Sequence, residues 1–238
     1  MLIEDEGILF DTPEEIIQQL NREKAKSVKH VFYTHWHPDH TQGMRLFEHI
    51  SRRMKHPQNY GKAEPINVYI PIEVYNDFKK YLPTFFYYER RGWIRVYKIT
   101  DRKEIKIGKL TIIPLSFRVP EKSRYGYLIR EDDKKVFYGP CSIWNMTLDK
   151  YYENIDLMLI EFGWLGKTKE KRKSEPKTSS IHDHISFEED MELIKKLKPK
   201  RTILTHIDYT EYENAKKLIR PFRNLSIDIA YDGMKIEV

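Results

Sequence analysis

Thr34-His35-Trp36-His37-Pro38-Asp39-His40-Thr41-Gln42-Gly43 is the stretch on which the reading of this chain turns. Three of the nine histidines and one aspartate fall within six residues. The residues leading into it, Lys29-His30-Val31-Phe32-Tyr33, are β-branched and aromatic and predict a buried strand. From Gly43 onward, Met44, Phe47 and Ile50 recur at helical spacing. The cluster therefore falls on a strand-to-helix turn, where α/β folds place ligands. His35 and His37 are two apart, so an extended backbone points both the same way. Asp39 and His40 follow as the chain turns and can aim at a neighbouring point. Imidazole and carboxylate are ordinary zinc ligands. Capping or surface roles explain one histidine more easily than four potential ligands at this spacing.

Working outward, the 238 residues suffice for one large domain or two small ones. Hydrophobic content of 40% with 33% charged residues is that of a soluble globular protein. No run approaches the roughly 18 apolar residues of a membrane span, so no membrane association is expected. The acidic start, Met1 to Glu6, lacks the charged and apolar regions of a signal peptide. One cysteine excludes an internal disulfide framework, and a cytoplasmic location fits. The net charge of +6 is mild over this length and suits a small anionic substrate.

Upstream of the motif, Ile8-Leu9-Phe10 reads as a short strand ending at Asp11. Thr12-Pro13-Glu14-Glu15 then carries the residue types of a capping box with proline at the first helical position. Downstream, Pro65 to Ile70 is a strand, and Pro71 starts a helix with Ile72, Tyr75, Phe78 and Leu82 on one side. Residues 81–97 interleave aromatics with Arg90, Arg91 and Arg95. Such a stretch can grip a base or phosphate, form a satellite core, or make a homodimer face. Strands recur at 93–99, 105–107, 110–115, 126–130 and 135–138, and Asp156 to Ile160 is a buried run. Residues 167–180 are basic and aperiodic, a solvated loop. Ser186-Phe187-Glu188-Glu189 is a second capping box. Arg201 to Thr205 is a strand delivering His206, Thr210 to Glu213 starts a helix, and Asp232-Gly233 predicts a terminal hairpin.

His35, His37, Asp39 and His40 match the His-x-His-x-Asp-His signature of the metallo-β-lactamase superfamily, which this chain resembles over most of its length. The resemblance implies an α/β fold, the four-layer αβ/βα sandwich, with residues 1–238 as a single domain. It implies metal-dependent hydrolysis with zinc, or manganese or iron, in one or two ions. It also makes His206 a fifth ligand and puts Asp11 where the family supports its metals from behind; Asp11 serves that role or simply starts a turn.

The chain departs from the family at three places. The first family strand is missing from the expected start. Where a mid-chain ligand histidine is usual, after Leu110 to Leu115, Arg118 stands instead, and arginine is not a metal ligand. Where a metal-bridging aspartate is usual, Cys141 stands, and a thiolate is a strong zinc ligand. Asp39, Cys141 and His206 would then form a three-ligand site with an open position. In the superfamily's phosphodiesterases, including the tRNA 3′-end endonuclease, a histidine before the helix at this place acts on the leaving group, and His184 fits it better than His182. The resemblance thus makes Asp39, His184 and Arg118 the catalytic candidates. The closest layout is that of cyclic phosphodiesterases. Hydrolysis of a thioester, lactone or amide, or a binding role without catalysis, are the competing readings. Nucleic acid is a less favoured substrate, because no insertion resembles the family's tRNA-gripping arm.

Overall fold

The computed structural model describes residues 1–25, 27–54, 64–119, 122–143, 146–163, 184–207 and 210–238, without the side chains of residues 52–54, 118, 119, 122 and 223. The chain divides into two compact units, Met1–Lys103 and Glu104–Val238. The basic segment 167–180, His182 and the Arg118 side chain lie outside the described residues.

The first unit holds a five-stranded sheet in the order β1-β2-β3-β4-β5. The strands are Leu2–Ile3, Ile8–Phe10, His30–Phe32, Ile66–Pro71 and Ile94–Ile99. Only β1 runs antiparallel to its neighbour; the others pair in parallel. Parallel neighbours require crossovers, and the helices Ile16–Arg22, Leu46–Met54, Ile72–Tyr81 and Pro83–Arg90 lie within those connections. β2 and residues Val31 and Phe32 of β3 are buried on both faces, as apolar runs in such sheets are. Phe78 packs edge-on against Tyr33 and against Phe85, each at 5.0 Å between ring centroids. Burying each such side chain contributes about 1.5–3 kcal/mol.

Two local expectations are corrected here. The helix Ile72–Tyr81 buries Val74 and Phe78, one turn apart, and leaves Ile72 exposed. The first helix begins at Ile16 with no side-chain cap. Thr12 is fully buried and its hydroxyl pairs with the Tyr33 hydroxyl at 2.9 Å. Its backbone is committed to the histidine turn: Thr12 N donates to His40 O at 2.8 Å, and Gly43 N donates to Thr12 O at 2.9 Å. Only glycine fits at position 43, since a Cβ there would lie 2.1 Å from Pro13 O. The residues that read as a helix start therefore clamp the motif. In the aromatic stretch, Phe85, Tyr88 and Trp93 are core residues, whereas Tyr81, Tyr87 and Tyr97 are exposed.

The second unit holds a seven-stranded sheet in the order β12-β11-β10-β9-β8-β7-β6. Its strands are Ile105–Ile107, Leu110–Val119, Lys122–Glu131, Lys134–Gly139, Leu157–Glu161, Arg201–Thr205 and Ile227–Ile229. β6 to β9 form an antiparallel meander, and β9 to β12 are parallel. β7 and β8 extend beyond the predicted bounds because their ladder continues to Val119↔Lys122. The helix Phe187–Leu197 carries the predicted capping box: Glu189 N donates to Ser186 Oγ and Ser186 N to Glu189 Oε2. Helix Tyr212–Ile219 has Glu211 at its N-cap and no side-chain cap bond. The terminal hairpin is not formed. A crossover through Tyr212–Ile219 brings β12 in parallel to β11, and residues 234–238 join no strand. Met158, Ile160, Ile194 and Leu204 centre this unit's core.

Candidate metal centre

Both units place chemistry at the C-terminal ends of parallel strands, where the backbone opens toward a ligand. In the first unit, β2 ends at Asp11, in a left-handed conformation (φ 59°), and β3 leads into His35. Asp11 is buried and fully used. Its Oδ1 accepts from Thr34 N at 2.8 Å, its Oδ2 lies 2.9 Å from Thr34 Oγ1, and the same Oδ2 lies 2.8 Å from His40 Nδ1. Thr34 Oγ1 also meets His35 Nδ1 at 2.9 Å. With the threonine proton on Asp11, the hydroxyl oxygen accepts from His35 Nδ1. Both imidazoles then carry their proton on Nδ1 and present Nε2 as a lone pair.

The rings of His35 and His40 lie 4.0 Å apart, and those of His35 and His37 4.8 Å. His40 Nε2 lies 3.4 Å from Asp39 Oδ2. In that tautomer a lone pair and a carboxylate face each other, an arrangement that a shared cation satisfies. His35, Asp39 and His40 are each among the residues whose donor atoms fit a metal ion, and His37 stands beside His35. His35 and His40 are buried, His37 is half-buried and Asp39 is exposed.

The second unit assembles Cys141, Glu161 and His184, whose donor atoms all lie within 4.8 Å of one another. They follow or end β9, β10 and the loop before the helix Phe187–Leu197. Glu161 Oε2 lies 2.8 Å from His184 Nδ1, and Oε1 accepts from Ile143 N at 2.9 Å. Burial works against charge on His184, but hydrogen bonds to Cys141 and Glu161 outweigh it and raise the imidazole to about 10. His206 follows β11 with φ 59°, its ring 5.8 Å from that of His184. Cys141, His184 and His206 thus occupy one strand-end cluster in this unit. Arg118 has its backbone paired with Ser123.

Glu161 was not anticipated as a site residue. The signal was there: a carboxylate closing a strand of otherwise apolar residues, where an acid is rarely buried without a partner. Asp190 was missed as well. It is fully buried in the first turn of Phe187–Leu197, accepts from Gly163 N, and its Oδ1 has no hydrogen-bond partner among the described residues. Burial first, and then the Glu161 charge, raise its carboxyl well above the ordinary 3.8. The folded chain therefore keeps a proton that the unfolded chain releases. The contribution to stability is complete below the unfolded value and is lost as pH climbs toward the folded one. Asp190→Asn removes that loss. The expected result is a Tm about 2–4 °C higher at pH 8, with no gain at pH 3.5, by calorimetry.

An α/β fold whose parallel strand ends carry imidazole, carboxylate and cysteine sulfur donors defines a metal-binding class of protein. The sequence matches the Beta-lactamase superfamily domain over residues 7–207, and the chain belongs to that family. Its expected fold and family membership both hold. A comparison with curated proteins finds no match. Among solved structures, a diphosphatase from the PhnP family is 22% identical, with a TM-score of 0.68 over 96% of this chain and 78% of that one. Zn(2+)-bound PqqB from Methylobacterium extorquens is 14% identical, with a TM-score of 0.70 over 100% and 85%. Yeast PDE1 is 14% identical, with a TM-score of 0.58 over 92% and 75%. No helix among the described residues is long and apolar enough to cross a membrane.

Proposed function

We propose that this protein is a metal-dependent hydrolase that cleaves phosphodiesters in small anionic substrates. The observation that carries the reading is the His184–Glu161 pair. A phosphodiester's departing alkoxide needs a proton, and a histidine paired at 2.8 Å with a buried carboxylate can give one. A thioester, lactone or amide substrate leaves that pair with less to do.

A divalent metal, zinc first with manganese or iron as alternatives and one or two ions, would supply a nucleophilic oxygen at neutral pH by acidifying water. His35, His37, Asp39 and His40 are the proposed donors of the first unit, and Cys141 and His206 those of the second. Asp11 and Thr34 fix the tautomers of His40 and His35. Asp39 orients the attacking water through its exposed carboxylate. His184 protonates the leaving oxygen. Arg118, whose guanidinium keeps its charge at any working pH, holds a non-bridging oxygen of the substrate.

The test is metal analysis of zinc- or manganese-reconstituted protein, paired with turnover of bis-p-nitrophenyl phosphate. One or two ions per chain with hydrolysis is the expected result. Fewer than about 0.3 ion per chain without turnover overturns the reading. Cys141→Ser is expected to lower metal content; an unchanged content removes Cys141 from the ligand set.

A further inference from the structure

Trp36 stands between two of the proposed ligand histidines, and its ring is not in the core. It is half-buried and meets the His37 ring edge-on at 4.9 Å. Its face is stacked on Tyr81, with ring centroids 4.1 Å apart and planes only 19° from parallel. Tyr81 is 42% exposed. Elsewhere in this unit the stacked pair Phe10–Phe32 is buried within the sheet. The Trp36–Tyr81 stack instead faces solvent beside the metal donors. One cation stands against it: Lys80 Nζ lies 4.8 Å from the Tyr81 ring centroid.

A solvent-facing stack saves little apolar area, so its own contribution to folding is small. What it offers is an aromatic surface beside the His37 ring, with the Lys80 ammonium against it. Flat rings of any sequence or type stack on such surfaces, and arginine or lysine beside them adds attraction for an attached anion. Tyr81 opens the aromatic stretch that the sequence offered as a base or phosphate grip, and through Trp36 it reaches the histidine motif.

We propose that Trp36 and Tyr81, with Lys80, form the substrate's ring-binding platform, so that the phosphodiester carries a flat ring close to its phosphate, as a nucleotide does. The proposal rests on the phosphodiesterase reading and names the substrate class of that same site. The platform favours ring-bearing phosphates over equally charged phosphates without a ring. Tyr81 acts here by contact, as a specificity residue, and takes no part in bond making.

The experiment is calorimetric binding to the full-length, zinc-reconstituted chain with three probes: adenosine 5′-monophosphate, phenyl phosphate and ribose 5-phosphate. Wild-type protein is expected to bind adenosine 5′-monophosphate about tenfold more tightly than ribose 5-phosphate. Tyr81→Ala should bring that ratio to within about twofold while leaving ribose 5-phosphate affinity unchanged, and Tyr81→Phe should restore it. Phenyl phosphate separates a nucleobase from a smaller aryl ring: whichever ring ligand binds more tightly identifies the source. Equal affinity for ring and ringless phosphates in the wild type, or an unchanged ratio in Tyr81→Ala, overturns the platform and leaves the phosphodiesterase reading standing. Failure of all three esters to bind zinc-loaded protein that turns over bis-p-nitrophenyl phosphate overturns the platform alone; absence of that turnover as well overturns both.

Discussion

Replacing Asp11 by alanine is expected to destabilise the protein by about 3–5 kcal/mol and to weaken metal binding by about 10–100-fold. The carboxylate is 2% exposed and satisfies three donors at once: Thr34 N, Thr34 Oγ1 and His40 Nδ1. Removing it strands those donors in a site closed by the fully buried Thr12 and Tyr33. Each stranded donor costs about 1–3 kcal/mol of desolvation, which is why the loss exceeds that of an ordinary surface change. The metal effect has a separate cause. Without Asp11, His40 Nδ1 loses its 2.8 Å carboxylate acceptor and keeps Thr34 Oγ1 at 3.4 Å, so the lone pair on Nε2 is less firmly fixed. Asp11→Asn separates the two effects. The amide oxygen can still accept from Thr34 N, but its NH2 faces His40 Nδ1 and favours the tautomer that puts the proton on Nε2. Chemical denaturation should therefore show a smaller loss for asparagine than for alanine, while chelator competition shows a comparable loss of metal affinity. Unchanged metal affinity in Asp11→Asn would mean that the aspartate only starts the turn.

How legible this arrangement was in the sequence depended on the range of the forces that set it. The apolar and β-branched runs that became β3, β10 and β11 and the Ser186–Glu189 box are local patterns, and each folds as its own residues dictate. The histidine motif was readable for the same reason, since its spacing alone restricts where the side chains can point. Thr12 was misread because its local propensity, helix capping, lost to long-range contacts with Tyr33, His40 and Gly43. β12 was misread because a turn signal at Asp232-Gly233 predicts a hairpin only when no neighbouring strand competes, and β11 had an open edge for a parallel partner. Glu161 and Asp190 were invisible for a different reason. An acid in a strand or in a helix's first turn is unremarkable in one dimension. Only the packing of the helix Phe187–Leu197 against the end of β10, through Gly163 N and Asp190, makes both of them buried. At Gly163 an added Cβ would lie 2.2 Å from the Ser186 carbonyl carbon, so the approach that buries them tolerates no side chain there.

His184→Ala is the variant whose kinetic loss should be largest and most informative. If the imidazolium protonates the departing oxygen, its removal lowers turnover of an alkyl phosphodiester by about 10²–10⁴-fold. The same change should cost less than about tenfold with bis-p-nitrophenyl phosphate, since p-nitrophenolate leaves readily without a proton and gains little from general acid help. The contrast between the two substrates is the measurement, because a residue that merely shaped the loop would depress both alike. Glu161 should act through His184. Glu161→Gln keeps an acceptor for Ile143 N but removes the charge that helps hold the imidazole protonated. Its alkyl-diester turnover should therefore fall, and it should fall further as pH rises, since the proton on His184 is then lost at a lower pH than in the wild type. The loss belongs in kcat rather than KM, because the proton is needed only as the bond breaks. Equal losses with both leaving groups would assign His184 to binding, and an unaltered pH profile in Glu161→Gln would detach Glu161 from the proton transfer.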